Sequence, residues 1–279
     1  MIGAIIGDIV GSRFEFVEDD ERDKNFVFFA HGCVPTDDSF MTLAVAKALV
    51  LAGGDKEKLK KVVAPCMRSV AHDHSDTGWG GRFYRWLFVD RNPKPYQSYG
   101  NGAGMRISPV GWAAESEEEV RELSKIVTEV SHDHPEGLKG AEAVAMAVYL
   151  ARTGKSKEEI RARMANYYPQ LNDEAFTIKN LYGHYGYDEQ GDWVTCQGSI
   201  PQAIVAFLES ESFEDAVRNA VWIGGDSDTI GAMAGSIAEA YYGVSADMEE
   251  KALSYLTDDL KSIYYAFGAM KKERTMRRS

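Results

Sequence analysis

Thr36-Asp37-Asp38 and Asp226-Ser227-Asp228-Thr229 place four carboxylates and two threonine hydroxyls in short clusters toward opposite ends of the chain. Brought within a few ångströms, such carboxylates repel one another and raise their own pKa values unless cations neutralise them. Two divalent cations would balance the charge. Mg2+ favours six oxygen ligands and keeps waters, so carboxylates with hydroxyls suit it. Neither cluster contains His or Cys, which argues against zinc. Capping alone would also explain an Asp at a helix start. Each cluster, however, carries a second Asp and a Thr beside small residues, and metal binding is the reading adopted.

Both clusters need rigid supports. Thr36 to Ser39 offers N-cap chemistry for a helix over 40–51 that Gly53-Gly54 ends. A capping box at Ser212-Phe213-Glu214-Asp215 starts a helix toward Trp222, Gly224-Gly225 stops it, and a small-residue helix over 229–242 follows the second cluster. Gly3, Gly7 and Gly11 recur every fourth residue, so one face of the first helix can accept another backbone closely. Further helices are expected over 56–70, 82–88, 117–130, 136–152 and 157–165, the last behind the capping box Ser156 to Glu159. Residues 25–29 have the apolar-aromatic look of a strand. The chain is therefore expected to be nearly all α. A site drawn from both ends, with no repeat or linker between, implies a single domain over 1–279.

The composition agrees with a folded protein: 44% hydrophobic and 27% charged over 279 residues is enough for a large core. A net charge of -12 repels phosphate backbones and excludes non-specific nucleic-acid binding. The basic tail from Lys271 reads as a solvated helix end. Cys33, Cys66 and Cys196 are odd in number and lack a CxxC pair, pointing to reduced thiols and a cytoplasmic location. The apolar opening lacks a basic segment and is interrupted by Asp8, so it reads as a core helix, with no membrane attachment expected.

Competing motifs can be tested on the same residues. Asp226-Ser227-Asp228 with Gly231 begins like a calcium loop, yet Ile237 stands where a bidentate Glu is required. A phosphatase nucleophile segment would need Thr one place later than Thr229. Gly100-Asn101-Gly102-Ala103-Gly104-Met105-Arg106 is a glycine-rich loop ending in a cation, the form of a phosphate cradle. His72-Asp73-His74 and His132-Asp133-His134 hold four of the six histidines. Residues two apart on a helix diverge, which disfavours chelation. His132 or His134 would instead contact substrate.

These segments together resemble the ADP-ribosylglycohydrolase family. Gly7-Asp8-Ile9-Val10-Gly11 with Glu15 looks like its opening motif, Thr36-Asp37-Asp38 its first metal motif and Gly224 to Gly231 its second. The glycine loop, His132 to Gly137 and Ile200-Pro201-Gln202-Ala203 follow in the family's order. The resemblance implies an all-α orthogonal helical bundle with a dinuclear Mg2+ or Mn2+ cleft, acting as a monomer on ADP-ribose or an ADP-ribosylated protein. It implies Thr36, Asp37, Asp38, Asp226, Asp228 and Thr229 as metal ligands, Glu15 as a carboxylate on a mobile flap, and Asn101, Gly102 and Arg106 along the diphosphate path. Ala103 stands where serine is common, and Glu239 where glycine is. Metal-assisted hydrolysis at the anomeric carbon follows, with Glu15, or else Asp37 or Asp38, moving the proton. A catalytically silent ADP-ribose binder and a phosphohydrolase are the alternatives, separable by product.

Overall fold

The chain is all α. The computed structural model describes residues 1–17, 23–75, 77–182 and 192–276. Among these no strand forms, and a single antiparallel bridge joins Gly100 to Thr195. Residues 25–29 are turns rather than the expected strand. Their aromatic side chains pack on one another and on the Arg13 and Arg218 guanidiniums, so the apolar run covers the core without pairing as backbone.

In chain order the helices are α1 (Ile2–Gly11), α2 (Asp37–Ala52), α3 (Lys56–Asp73), α4 (Gly81–Tyr84), α5 (Gly102–Met105), α6 (Ser108–Ala113), α7 (Glu117–Thr128) and α8 (Pro135–Arg152). There follow α9 (Lys157–Met164), α10 (Ile178–Leu181), α11 (Cys196–Leu208), α12 (Phe213–Ile223), α13 (Ser227–Tyr242), α14 (Ala246–Leu253) and α15 (Asp258–Met276). The helix expected over 82–88 is α4 running into a wider π turn at Arg85–Val89. Side-chain caps set many of the starts. Thr36, Asp55, Ser116, Ser156, Thr195 and Ser212 each accept from a first-turn amide. The box at Ser156 and Glu159 closes reciprocally. At Ser212 the return bond differs, because Asp215 reaches the amide of Glu211 instead.

Two nearly fully buried helices form the axis. All ten residues of α1 are buried, as are those of α13 from Ser227 to Ala238, and α13 also packs on α8, α11 and α12. The glycine stripe of α1 meets glycines of α13: a Cβ on Gly231 would lie 2.6 Å from the Gly7 carbonyl oxygen, and one on Gly11 2.5 Å from Asp228 Cα. Glu239 fits this interface by accepting the Gly3 amide at 2.8 Å, so the side chain at that position caps the neighbouring helix. No helix among the described residues is long and apolar enough to cross a membrane, and the three cysteines are free and buried. The aromatic stretch from Tyr182 to Tyr187 and the last three residues of the basic tail lie largely or wholly outside the described residues.

Gly7→Ala should force α1 and α13 apart and cost about 3 kcal/mol or more. Gly268→Ala, within α15 and facing open space, should stabilise by about 0.5–1 kcal/mol. Urea denaturation of both variants checks the pair; equal effects would contradict the glycine-interface account.

Candidate active site

The close approach of α1 and α13 decides which carboxylates meet. Asp8 projects from α1 into the space between the starts of α2 and α13, fully buried. Its Oδ2 accepts the backbone amides of Thr36 (3.0 Å) and Ser39 (3.1 Å) and the Ser39 hydroxyl, while Oδ1 accepts the Thr36 hydroxyl at 2.6 Å. Asp8 thereby ties the first turn of α2 to α1. Thr36 Oγ1 also lies 3.4 Å from one oxygen of Asp38 and 3.4 Å from one of Asp228. Thr229 donates its hydroxyl to Asp38 Oδ2 at 3.1 Å, linking α13 to α2.

The glycine pair ahead of α13 turns the chain into the site. Gly224 and Gly225 hold φ of 95° and 73°, open to glycine at little cost. The Gly225 carbonyl accepts the Phe16 amide at 2.9 Å, and Phe16 itself holds φ 52°. This bond fastens the turn carrying Glu15 beside Asp226. Asn101 reaches in from the glycine-rich segment, donating to Asp226 Oδ2 at 2.6 Å and Ser199 Oγ at 2.9 Å.

The carboxylates form two groups that share one member. Ligand oxygens of Asp8, Asp38 and Asp228 lie within 4.8 Å of one another, as do those of Glu15, Asp226 and Asp228. Asp37 faces the same cleft but belongs to neither group. Burial raises the pKa of all of them. Asp8 and Asp226 are pushed up to about 6 by burial, against hydrogen bonds that favour their charged forms. Glu15 is pushed up to about 7 by burial and then by the charges of Asp228 and Asp8. Asp37, Asp38 and Asp228 are raised well above the carboxylate range, by burial first and by neighbouring carboxylates second.

The donor set fits hard divalent cations. Asp38 Oδ1 is buried and has no hydrogen-bond donor among the described residues. A buried carboxylate oxygen without a donor costs free energy that an ion would offset. The ligand groups gathered here are carboxylates, without His or Cys, matching Mg2+ or Mn2+ rather than zinc.

Glu15, Asp37, Asp38, Asp226 and Asp228 line a cleft of about 430 Å3, whose walls also include Arg82, Phe83, Tyr96, Ser98, Asn101 and His132. Of the residues singled out in sequence, Glu15, Asp37, Asp38, Asp226, Asp228, Thr229, Asn101, Gly102, Met105 and His132 line it. Thr36 stands just behind, among the carboxylates. Four others are placed elsewhere. Ala103 and Gly104 are buried, with the amides of Ala103, Gly104 and Met105 bonded back to the carbonyls of Gly100 and Asn101, so they do not point at a ligand. Arg106 is fully buried behind His132, and His134 caps α8 by accepting the Glu136 amide at 3.1 Å. The chelating reading of the first histidine pair also finds no support, since His74 stacks on Phe40 with centroids 4.3 Å apart.

Asp8 joins these acids although it stands outside both acidic clusters of the sequence. Its signal was a lone acid in an apolar, glycine-flanked helix, where burying a charge needs partners.

Buried acids on crossing helices, gathered in and behind one cleft, form a candidate centre for cations in an all-helical fold. Residues 1–274 match the model of the ADP-ribosylglycohydrolase family, and the chain belongs to that family of glycosidic-bond hydrolases. It is 26% identical to ADP-ribosylhydrolase ARH3 of Mus musculus, covering 88% of this chain and 83% of that protein. It is 25% identical to the ADP-ribosyl-[dinitrogen reductase] glycohydrolase of Rhodospirillum rubrum, over 99% and 91%, and 26% identical to the ADP-ribosylarginine hydrolase Tri1 of Pseudomonas putida, over 88% and 70%. A solved structure described as an ADP-ribosylglycohydrolase-related protein complex superposes with a TM-score of 0.68 over 97% of both chains, at 23% identity, and shares the fold.

Raised carboxylate pKa values mean that the folded, metal-free protein holds protons the unfolded chain has lost. The resulting stability is present below the ordinary carboxylate range and is lost as pH rises through about 6 for Asp8 and Asp226 and about 7 for Glu15. In EDTA, melting temperature should therefore fall across this window more steeply for wild type than for Asp228→Asn. Added Mg2+ should restore it most at the alkaline end. Parallel melting curves for the two proteins would contradict the assigned shifts.

Proposed function

We propose that this chain hydrolyses the glycosidic bond joining ADP-ribose to an acceptor, using two divalent cations, Mg2+ or Mn2+. The observation that carries this reading is the pair of carboxylate groups sharing Asp228, which lines the cleft. Asp8, Thr36, Asp37, Asp38, Asp226, Asp228 and Thr229 would hold the ions, with Glu15 beside them. When bound, the cations orient the sugar hydroxyls and lower the pKa of a water.

The chain's own residues supply the remaining chemistry. Bond cleavage builds oxocarbenium character on the ribose, and the surrounding carboxylates stabilise that positive charge. Glu15, grouped with Asp226 and Asp228, is the carboxyl assigned to carry the proton and return it, as a general acid and base must. Asn101, Gly102 and His132 stand on the wall along which the diphosphate would lie. Asn101 also holds Asp226, so the same side chain fixes a metal ligand and borders the substrate path. All of these groups come from one chain, and the reading requires neither a membrane nor a partner subunit. The similarity to the ADP-ribosylarginine hydrolase Tri1 makes an arginine-linked substrate the first to test.

Peptides ADP-ribosylated at arginine or serine, incubated with Mg2+ or Mn2+, should release free ADP-ribose detectable by mass spectrometry. EDTA should stop release and excess divalent ion restore it. Asp38→Ala should lower kcat/KM by roughly 10^3-fold, a loss of several kcal/mol of transition-state stabilisation. Glu15→Gln should lower kcat by about 10^2–10^4-fold. Release of inorganic phosphate, or turnover unaffected by EDTA, would overturn the proposal.

A further inference from the structure

We propose that Arg106 is a positioning residue that holds His132 as a neutral imidazole with its proton on Nε2, facing the wall of the cleft. Arg106 was expected on the diphosphate path, yet its side chain is fully buried and absent from the cleft lining. Its guanidinium sits over the Phe83 ring, 5.4 Å from the centroid. Arg106 Nη2 donates to Ser131 Oγ at 2.8 Å and approaches His132 Nδ1 at 3.3 Å. Ser131 Oγ lies 2.8 Å from the same Nδ1.

The direction of these bonds follows from one fixed fact: a guanidinium has donors and no acceptor. Ser131 Oγ accepts from Arg106, so its own hydrogen is free to point at Nδ1. Nδ1 thus faces a compulsory donor and a hydroxyl free to donate to it, an arrangement that both bonds satisfy when Nδ1 presents its lone pair. A histidine whose Nδ1 accepts keeps its hydrogen on Nε2, since the tautomer is set by the bond that the other nitrogen makes.

Nε2 lies on the other side of the ring, against the turn of Gly100 to Gly102. A Cβ on Gly102 would come within 3.2 Å of it, and one on Gly100 within 3.7 Å. Among the described residues no hydrogen bond is made by Nε2, and His132 lines the cleft. The charged and titratable groups around the ring are the Arg106 and Arg82 guanidiniums and the Tyr96 hydroxyl. Burial and the two cations all disfavour an imidazolium, in keeping with a pKa well below the usual histidine range. The consequence is a permanent donor, suited to an anionic oxygen and unsuited to proton transfer. Arg106 would act on a bound diphosphate through His132, without touching it.

This inference rests on the cleft being an ADP-ribose site, and the experiment separates the two ideas. Full-length protein carrying 15N-labelled histidine and saturated with Mg2+ is studied by two-bond 1H–15N correlation between about pH 5.5 and pH 8, with His132 assigned by difference against His132→Gln. The expected pattern is neutral Nε2–H throughout. An Nδ1–H tautomer or an imidazolium within this range would overturn the proposal, and this result does not depend on any Arg106 variant folding. Arg106→Met should admit the Nδ1–H form and weaken binding of free ADP-ribose by roughly tenfold in calorimetry, the worth of about one hydrogen bond to a charged group. Arg106→Lys, which keeps a buried donor, should restore both. Loss of thermal stability in Arg106→Met with the tautomer and affinity unchanged would reduce Arg106 to a packing role and overturn the proposal. Failure of the wild type to bind ADP-ribose would overturn the proposed function, while the spectrum still decides the tautomer.

Discussion

Everything at the candidate site depends on two helix backbones lying in contact. Glycines on α1 and α13 face each other where any side chain would collide with a carbonyl, so the helix axes approach more closely than ordinary side chains allow. That approach brings Asp8, one turn before the end of α1, beside Thr36 and Ser39 at the start of α2 and near Asp228 at the start of α13. A wider spacing would separate Asp8 from the acids at the starts of α2 and α13. The glycine contact thus gathers acids of three helices into a common centre.

The same geometry makes the metal-free protein electrostatically costly. Burial pushes six carboxylates upward, repulsion from neighbouring acids adds to this for all of them but Asp8, and Asp38 keeps one oxygen without a donor. Part of that cost is met by local donors: the amides of Thr36 and Ser39 for Asp8, Asn101 for Asp226, and the Thr229 hydroxyl for Asp38. These donors fix carboxylate directions before any cation arrives, which lowers the reorganisation that binding requires. Pre-organisation and instability are two aspects of one arrangement.

Much of this was legible in the amino-acid order, because the signals are short-range. Thr36, Ser156 and Ser212 announce helix starts through hydroxyl chemistry, and the glycine period on α1 announces close packing. Less legible was whatever depends on side-chain direction. Arg106 ends a glycine-rich run and reads as a phosphate ligand, but α5 curls its amides onto their own carbonyls and sends the guanidinium behind His132. His134 reads as a substrate contact and caps α8, since its ring nitrogen is the acceptor nearest the first-turn amide. Asp8 was assigned no ligand role because its partners are far away in sequence. Residues 25–29 have strand-like composition but no neighbouring strand to supply hydrogen bonds, so tertiary packing of their rings decides.

The central claim is that close packing of α1 and α13 creates one centre that would hold two cations, with Asp228 common to both carboxylate groups. Electron paramagnetic resonance of the protein titrated with Mn2+ tests it most directly. Two ions per chain should bind and give the broadened spectrum of a spin-coupled pair, which Asp228→Asn should abolish. A single ion per chain, or two ions with the sharp lines of isolated Mn2+, would contradict it.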